Sequence, residues 1–209
     1  MNISQHWWLA AVWTTYCILH SVFAASWWKK WAGIQLGKGY RYYRPGYSVF
    51  AALSLVGILI YQFSIPSPDI VVMPGYIKLV AVPVGVVGLV FMWKSIRKYF
   101  FYLSGIDVVI NKPVESRLET GGLHKLVRHP LYFGTLTVIW CLFAWMPSFA
   151  NAIAALLITI YTLIGIRIEE HKLVAEFGDA YRGYQKEVSM IVPGLRKRKS
   201  SKDPVAQDS

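Results

Sequence analysis

The residues best suited to chemistry fall in two clusters. From Thr120 to Gly134 the chain reads Thr-Gly-Gly-Leu-His-Lys-Leu-Val-Arg-His-Pro-Leu-Tyr-Phe-Gly, which sets the donors of His124, Lys125, Arg128 and His129 just ahead of Pro130. Proline suits the first turn of a helix, where its missing N–H costs nothing. The stretch therefore reads as a polar loop ending in a helix start, where free backbone N–H groups and the helix dipole favour an anion. The second cluster is Arg167-Ile-Glu-Glu-His171, at the end of an uncharged run from Phe149 to Ile166. A donor-rich helix start facing Glu169 and Glu170 would suit a zwitterionic small molecule with a cationic part. Each cluster also has a plainer reading. The first is a basic interfacial loop opening a membrane helix, and the second a solvated helix end whose glutamates pair with Arg167 and Lys172.

What could bring the clusters together is the chain between them. Leu131 to Met146 is uncharged, Met146-Pro-Ser-Phe149 reads as a tight turn, and Phe149 to Ile166 is uncharged again. A helix rising about 1.5 Å per residue crosses the roughly 30 Å hydrocarbon layer in about 20 residues. Counted outward from the turn, His129 and Glu169 are about equally distant. An antiparallel hairpin would return them to one interface at one depth.

The rest of the chain frames this hairpin. It has 209 residues, 55% hydrophobic, with 9 Trp, 13 Tyr and a formal net charge of +11. The reading is an all-α, polytopic membrane bundle. About five spans are expected, with four as the alternative: His6–Trp28, Tyr47–Ser64, Ile77–Trp93, Leu131–Met146 and Phe149–Ile166. Trp7, Trp8, Trp27, Trp28, Trp31 and the tyrosines from Tyr40 to Tyr47 look like interfacial belts. Residues 29–46 form a basic, aromatic connector, and Ser64-Ile-Pro-Ser-Pro-Asp69 a proline-stiffened loop on the opposite side. One domain is expected over residues 1–195, with a C-terminal motif core at 118–193 and a disordered basic tail at 196–209 near anionic lipid.

Charge sets the expected orientation. Lys29, Lys30, Lys38, Arg41 and Arg44 lie between spans one and two. Lys94, Arg97, Lys98, Lys112, Arg117, Lys125 and Arg128 lie around the loop between spans three and four, which also holds Asp107, Glu115 and Glu119. Apart from Lys78, every other Lys or Arg falls from Arg167 onward. By the positive-inside rule the N-terminus is outside and the basic loops and tail are cytosolic. The high pI is thus topology, and nucleic acid is not an expected partner, since no recognition module accompanies the charge. Met1 to Gln5 lacks a basic n-region, so the first span reads as retained. Cys17 and Cys141 sit inside apolar runs as buried thiols, and no metal set is expected. Tyr16, His20 and Ser21 near the inner end of the first span either line a cavity or bond a neighbouring helix. Gly85, Gly88 and Pro83 in the third favour close helix packing or a kink. Gly178 interrupts the helix after the glutamates. Asp179 to Val188 then forms a short amphipathic helix, with Tyr181, Tyr184 and Val188 on one face.

Two stretches carry a family resemblance. They are Val127-Arg-His-Pro-Leu-Tyr-Phe-Gly134 and Glu169-Glu-His-Lys-Leu-Val-Ala-Glu-Phe-Gly-Asp-Ala-Tyr-Arg-Gly-Tyr-Gln-Lys-Glu-Val188, followed by Pro193. Together they resemble the C-terminal core of the isoprenylcysteine carboxyl methyltransferase and phospholipid methyltransferase superfamily. Leu19-His20-Ser21 with the basic connector looks more like the bacterial NnrU-type and thiol methyltransferase branch, which would put the protein in a bacterial inner membrane. The resemblance implies an S-adenosylmethionine site facing the cytosol. Its contacts would be Leu118, His124, Arg128, His129, Pro130, Leu131, Tyr132 and Glu169, with Tyr181 and Tyr184 closing the pocket.

The implied reaction is methyl transfer to a small or lipophilic thiol, carboxylate or amine at the membrane interface, with membrane lipid as the other partner. Displacement at a methyl carbon needs chiefly alignment and water exclusion. A thiolate or carboxylate arrives ionised, whereas an amine needs deprotonation, for which His129 or Glu170 is the candidate. Carboxyl-methylating relatives carry an arginine four residues before the first glutamate, where this chain has Gly165, which disfavours a prenylcysteine carboxylate. Two alternatives share the scaffold: an NADPH-dependent membrane reductase and a non-catalytic NnrU-like factor.

Overall fold

The computed structural model describes residues 3–104 and 118–194. The expected loop positions Asp107, Lys112, Glu115 and Arg117, and the basic tail from Leu195, lie outside the described residues. Within them the regular structure is helical, without β-strands. The α-helices are α1 (Ile3–Ala24), α2 (Ser26–Leu36), α3 (Tyr43–Ser64), α4 (Gly75–Ser104), α5 (Pro130–Trp145), α6 (Phe149–Phe177) and α7 (Asp179–Glu187). Short 3-10 helices, Gly37–Tyr42 and Gly122–Lys125, precede α3 and α5.

Sequence accounts for most of the boundaries. Pro130 occupies the first turn of α5, and the Ser148 side chain accepts from the Asn151 N–H at the start of α6. Gly178 stops α6 with φ of +56°, a conformation that side chains with a Cβ rarely adopt. One boundary differs from expectation. The first apolar run does not continue as one helix to Trp28, because Ala25 is extended and α2 starts afresh at Ser26. Trp27, Lys29, Lys30 and Trp31 therefore sit on a separate helix, as suits residues of an interface. The connector that follows is helical as well.

Among the described residues, four helical stretches are long and apolar enough to cross a bilayer: Ile3–Ala24, Ser26–Ser64, Gly75–Phe100 and Phe149–Glu187. Helix α5 is shorter at 16 residues, or about 24 Å at 1.5 Å per residue. Large apolar side chains face outward along these helices, Leu79 at 74% and Leu53 at 68% exposure among them. Such a surface suits lipid and makes this an integral membrane protein.

Two packing units hold the bundle. Leu9 and Trp13 of α1, Ile58 of α3 and Ala150 and Ala154 of α6 form one apolar cluster. A buried amide relay runs through it: the Trp13 indole donates to Gln62 at 3.0 Å, and Gln62 donates to Asn151 at 2.7 Å. In the second unit α4 crosses α5 at Gly88 and Gly134. A Cβ on Gly134 would lie 2.6 Å from the Gly88 carbonyl oxygen, so only glycine permits this approach. The loop after α3 is tied to the α5–α6 turn. Phe149 donates to the Pro68 carbonyl at 3.0 Å, Ile70 to the Pro147 carbonyl at 2.9 Å, and Ala150 to Ser67 at 2.9 Å.

Candidate functional site

At the other end of the α5–α6 hairpin the two motif clusters meet, as their equal distances from the turn require. His129 Nε2 lies 3.2 Å from Glu170 Oε1, and His129 Nδ1 lies 3.8 Å from Glu169 Oε2. The two glutamates are adjacent in sequence but sit differently. Glu170 pairs bidentately with Arg128, at 2.6 Å to Nε and 3.0 Å to Nη2. It also accepts from Tyr181 at 3.1 Å and from Gln185 at 3.0 Å. The side chain of Glu170 is 14% exposed and that of Arg128 only 6%. The side chain of Glu169 is 45% exposed.

The solvated pairing with Arg167 and Lys172 is thus not what Glu170 does. Its lone pairs are occupied by five donors, which suits an anchor better than a proton acceptor. Arg128 is equally committed. Its Nη1 donates to the carbonyls of Gln185 and Val188, capping the end of α7. Its own backbone N–H donates to Ser189 at 2.9 Å, and that of His129 to Met190 at 3.2 Å. The guanidinium therefore holds the C-terminal segment against the helix start, with little left to offer an external carboxylate.

His124 is a second joint. Its Nδ1 lies 3.1 Å from the Arg128 carbonyl oxygen, which can only accept, so Nδ1 carries the proton and Nε2 accepts from Tyr99 at 3.1 Å. The His124 carbonyl in turn accepts from the Tyr184 hydroxyl at 2.6 Å. Burial, the largest influence, pushes the His124 imidazole below its ordinary pKa, consistent with this neutral tautomer. Ahead of it, Glu119 bonds Lys98 at 2.8 Å and the Gly121 N–H at 2.9 Å. The Lys98 bond is the main reason its carboxyl lies below the usual range.

Tyr181 and Tyr184 are buried and turn their hydroxyls onto Glu170 and His124, under the site rather than as an open wall. Pro130 is buried at the helix start, and Leu131, half-buried, has its carbonyl bonded by Thr135. Leu118 is half-buried, and its side chain takes no part in this network. The sequence reading missed Tyr99 and Gln185. Gln185 had a usable signal, since it follows Tyr181 by four residues on the same face of α7.

A specific set remains open to a ligand. Glu169 offers an anion beside the His129 and Tyr132 rings, which stack at 5.6 Å. The Leu131 and Tyr132 N–H groups lie in the first turn of α5, where a helix offers no acceptor of its own. Anion and donors side by side suit a zwitterion.

Residues 76–180 match the family model described as phospholipid methyltransferase. Methanethiol S-methyltransferase 1 of Bradyrhizobium diazoefficiens is 33% identical over 189 residues, covering 87% of this chain and 64% of that protein. The methanethiol S-methyltransferase of Pseudomonas deceptionensis is 44% identical over 92 residues, 44% of this chain and 34% of its own length. That of Mycobacterium tuberculosis is 37% identical over 71 residues, 34% of this chain and 28% of its own. The chain thus spans less than two thirds of the length of each of these relatives. No solved structure matches.

Proposed function

Since this chain belongs to the phospholipid methyltransferase family, we propose that it is a membrane methyltransferase that moves a methyl group from S-adenosylmethionine to a small thiol. The observation that carries the reading is Glu169, half-exposed next to a buried Arg128–Glu170 anchor and a donor-rich helix start. The donor molecule has a cationic sulfonium and an amino-acid end, and when bound it supplies an electrophilic methyl group. Glu169 would balance its positive charge, and the start of α5 would take its carboxylate. His129 and Tyr132 would orient Glu169, while Arg128 and Glu170 hold α7 and the following strap in place. The thiol acceptor rests on the relatives named above and on Gly165, which leaves no arginine on that face to hold a carboxylate. We place the site on the cytosolic side because Lys and Arg gather at this end of the hairpin.

The test is calorimetric titration of S-adenosylhomocysteine into detergent-purified protein, with dimethyl sulfide production from methanethiol as the activity readout. Glu169→Gln and His129→Ala should each weaken binding roughly ten- to hundredfold, the range expected for one charge-assisted contact. The double variant should lose less than the sum, because both residues serve one ligand. Wild-type protein that binds neither S-adenosylhomocysteine nor S-adenosylmethionine overturns the reading, as does unchanged binding in both single variants.

A further inference from the structure

A second cluster of reactive side chains lies where α1, α3 and α6 meet, apart from the donor site. His20 of α1 sits among three tyrosine rings: Tyr47 of α3 at 5.5 Å, Tyr16 of α1 at 5.9 Å and Tyr161 of α6 at 6.3 Å. The Tyr47 hydroxyl lies 2.8 Å from His20 Nδ1 and 3.0 Å from the His20 carbonyl oxygen. The carbonyl can only accept, so the phenol donates to it and Nδ1 donates to the phenol oxygen. That reciprocal pair fixes the tautomer and leaves Nε2 as an unprotonated lone pair. Nε2 has no hydrogen-bond partner among the described residues. The imidazole also borders an apolar groove of about 650 Å³ between α1 and α3, walled by Thr15, Leu19, Phe23 and Phe50.

The cluster is connected to the donor site along one face of α6. Tyr161, Gly165 and Glu169 follow at four-residue spacing, so they share that face. At the Glu169 end, the carboxylate lies 3.8 Å from His129, whose ring stacks on Tyr132 at 5.6 Å. Between Tyr161 and Glu169, a Cβ built on Gly165 would meet nothing within 4 Å. The face of α6 is thus bare at Gly165, which leaves a gap in side-chain cover between the carboxylate assigned to the methyl donor and the aromatic ring around His20.

We propose that this gap is the acceptor site, that it takes a small apolar thiol arriving through the α1–α3 groove, and that His20 Nε2 removes the thiol proton. The inference rests on the proposed methyltransferase function. In the step, the S–H bond breaks and its proton passes to Nε2. The thiolate sulfur then forms a bond to the methyl carbon of the sulfonium donor. The donor's own S–CH3 bond breaks with its electron pair retained on that sulfur, leaving two neutral thioethers. The imidazolium returns its proton to water. A free alkyl thiol is at most a few per cent ionised near pH 7, so a base at this position has a large effect to exert. The aromatic ring would keep the sulfur dry and exclude bulkier acceptors.

The titratable groups around His20 are Tyr16 and Cys17 of α1, Tyr47 of α3 and Tyr161 of α6, none of which ionises near neutral pH in such surroundings. The experiment compares wild type, His20→Gln, Tyr47→Phe and Gly165→Leu in detergent, with ethanethiol as acceptor. Three measurements are made: S-adenosylhomocysteine affinity, turnover between pH 6 and 9.5, and diethylpyrocarbonate modification of His20 followed by mass spectrometry. In His20→Gln, affinity stays within threefold of wild type while turnover at pH 7 falls about 10²–10⁴-fold, the usual contribution of a general base. The remaining activity rises about tenfold per pH unit as the free thiol ionises, a slope wild type lacks. Tyr47→Phe falls less and keeps the wild-type limiting rate at high pH. Gly165→Leu raises the acceptor KM, and ethanethiol without donor slows modification of His20 in wild type. Donor binding together with unchanged turnover and pH profile in His20→Gln overturns the inference alone. Absence of donor binding in wild type overturns the methyltransferase reading and the inference with it.

Discussion

Glu169→Gln and Glu170→Gln remove the same charge from neighbouring residues, yet the structure assigns them opposite consequences. Glu170 is the counter-ion of an arginine side chain that is only 6% exposed, and it accepts five hydrogen bonds. Glutamine in its place leaves the guanidinium without a counter-charge and turns an –NH2 toward groups that are themselves donors. Breaking one partner of a buried ion pair costs about 3–5 kcal/mol. For a chain of this size each kcal/mol moves the midpoint by about 2–4 °C, so Glu170→Gln should lower Tm by about 6–20 °C. Glu169 is 45% exposed and 3.8 Å from His129, a geometry worth less than about 1 kcal/mol. Glu169→Gln should therefore melt within about 4 °C of wild type while losing donor affinity. Intrinsic tryptophan fluorescence melts in one detergent, run with and without S-adenosylhomocysteine, separate the two. If Glu170→Gln melts like wild type and Glu169→Gln does not, the division into anchor and ligand carboxylate is refuted.

Other outcomes follow from the same geometry. The His124 imidazole is held below its ordinary pKa, so as pH falls through about 6.5 the unfolded chain binds the proton first. The stabilisation is complete above that value and declines below it, so wild-type Tm should fall between pH 7.5 and 5.5. His124→Asn, which keeps a donor for the Arg128 carbonyl, should flatten that decline, and parallel curves would refute the assignment. Gly134→Val places atoms against the Gly88 carbonyl 2.6 Å from its Cβ and should abolish monodisperse protein in size-exclusion chromatography. An unchanged elution profile and melt would show that α4 and α5 can part freely. Cysteines introduced at Val72 and Asp179, in a background lacking Cys17 and Cys141, test the orientation with an impermeant label on intact cells. Both positions are exposed, and labelling at Val72 alone supports a cytosolic site, whereas labelling at Asp179 alone reverses it.

The hairpin was readable from sequence because its logic is linear. Two uncharged runs of similar length about a Pro-Ser turn bring His129 and Glu169 level whatever surrounds them. The α1–α2 break was hidden because Ala25 lies in an unbroken apolar run, where composition gives no sign of a turn. The role of Arg128 was less visible. Its type and place beside His129 read as a ligand contact, but its partners lie 42 to 60 residues away, and only folding shows that they consume it. The Trp13–Gln62–Asn151 relay was unreadable for the same reason, since each residue alone looks like a tolerated polar group in an apolar helix. Gly134 was legible as part of a motif, while its cause, contact with Gly88, required the crossing itself.

The strap formed by Ser189 and Met190 has a consequence for how the protein is made. The hairpin that carries His129, Glu169 and Glu170 is complete by Phe177, and as an apolar pair of helices it can enter the membrane as soon as it is synthesised. The backbone N–H groups of Arg128 and His129, however, find their acceptors only at residues 189 and 190, and the guanidinium finds its carbonyls at Gln185 and Val188. Until those residues have been translated and have folded back, the helix start is unbraced and Glu170 lacks two of its donors. In a nascent or C-terminally clipped chain the start of α5 therefore stays unbraced, even when the spanning helices are already in place.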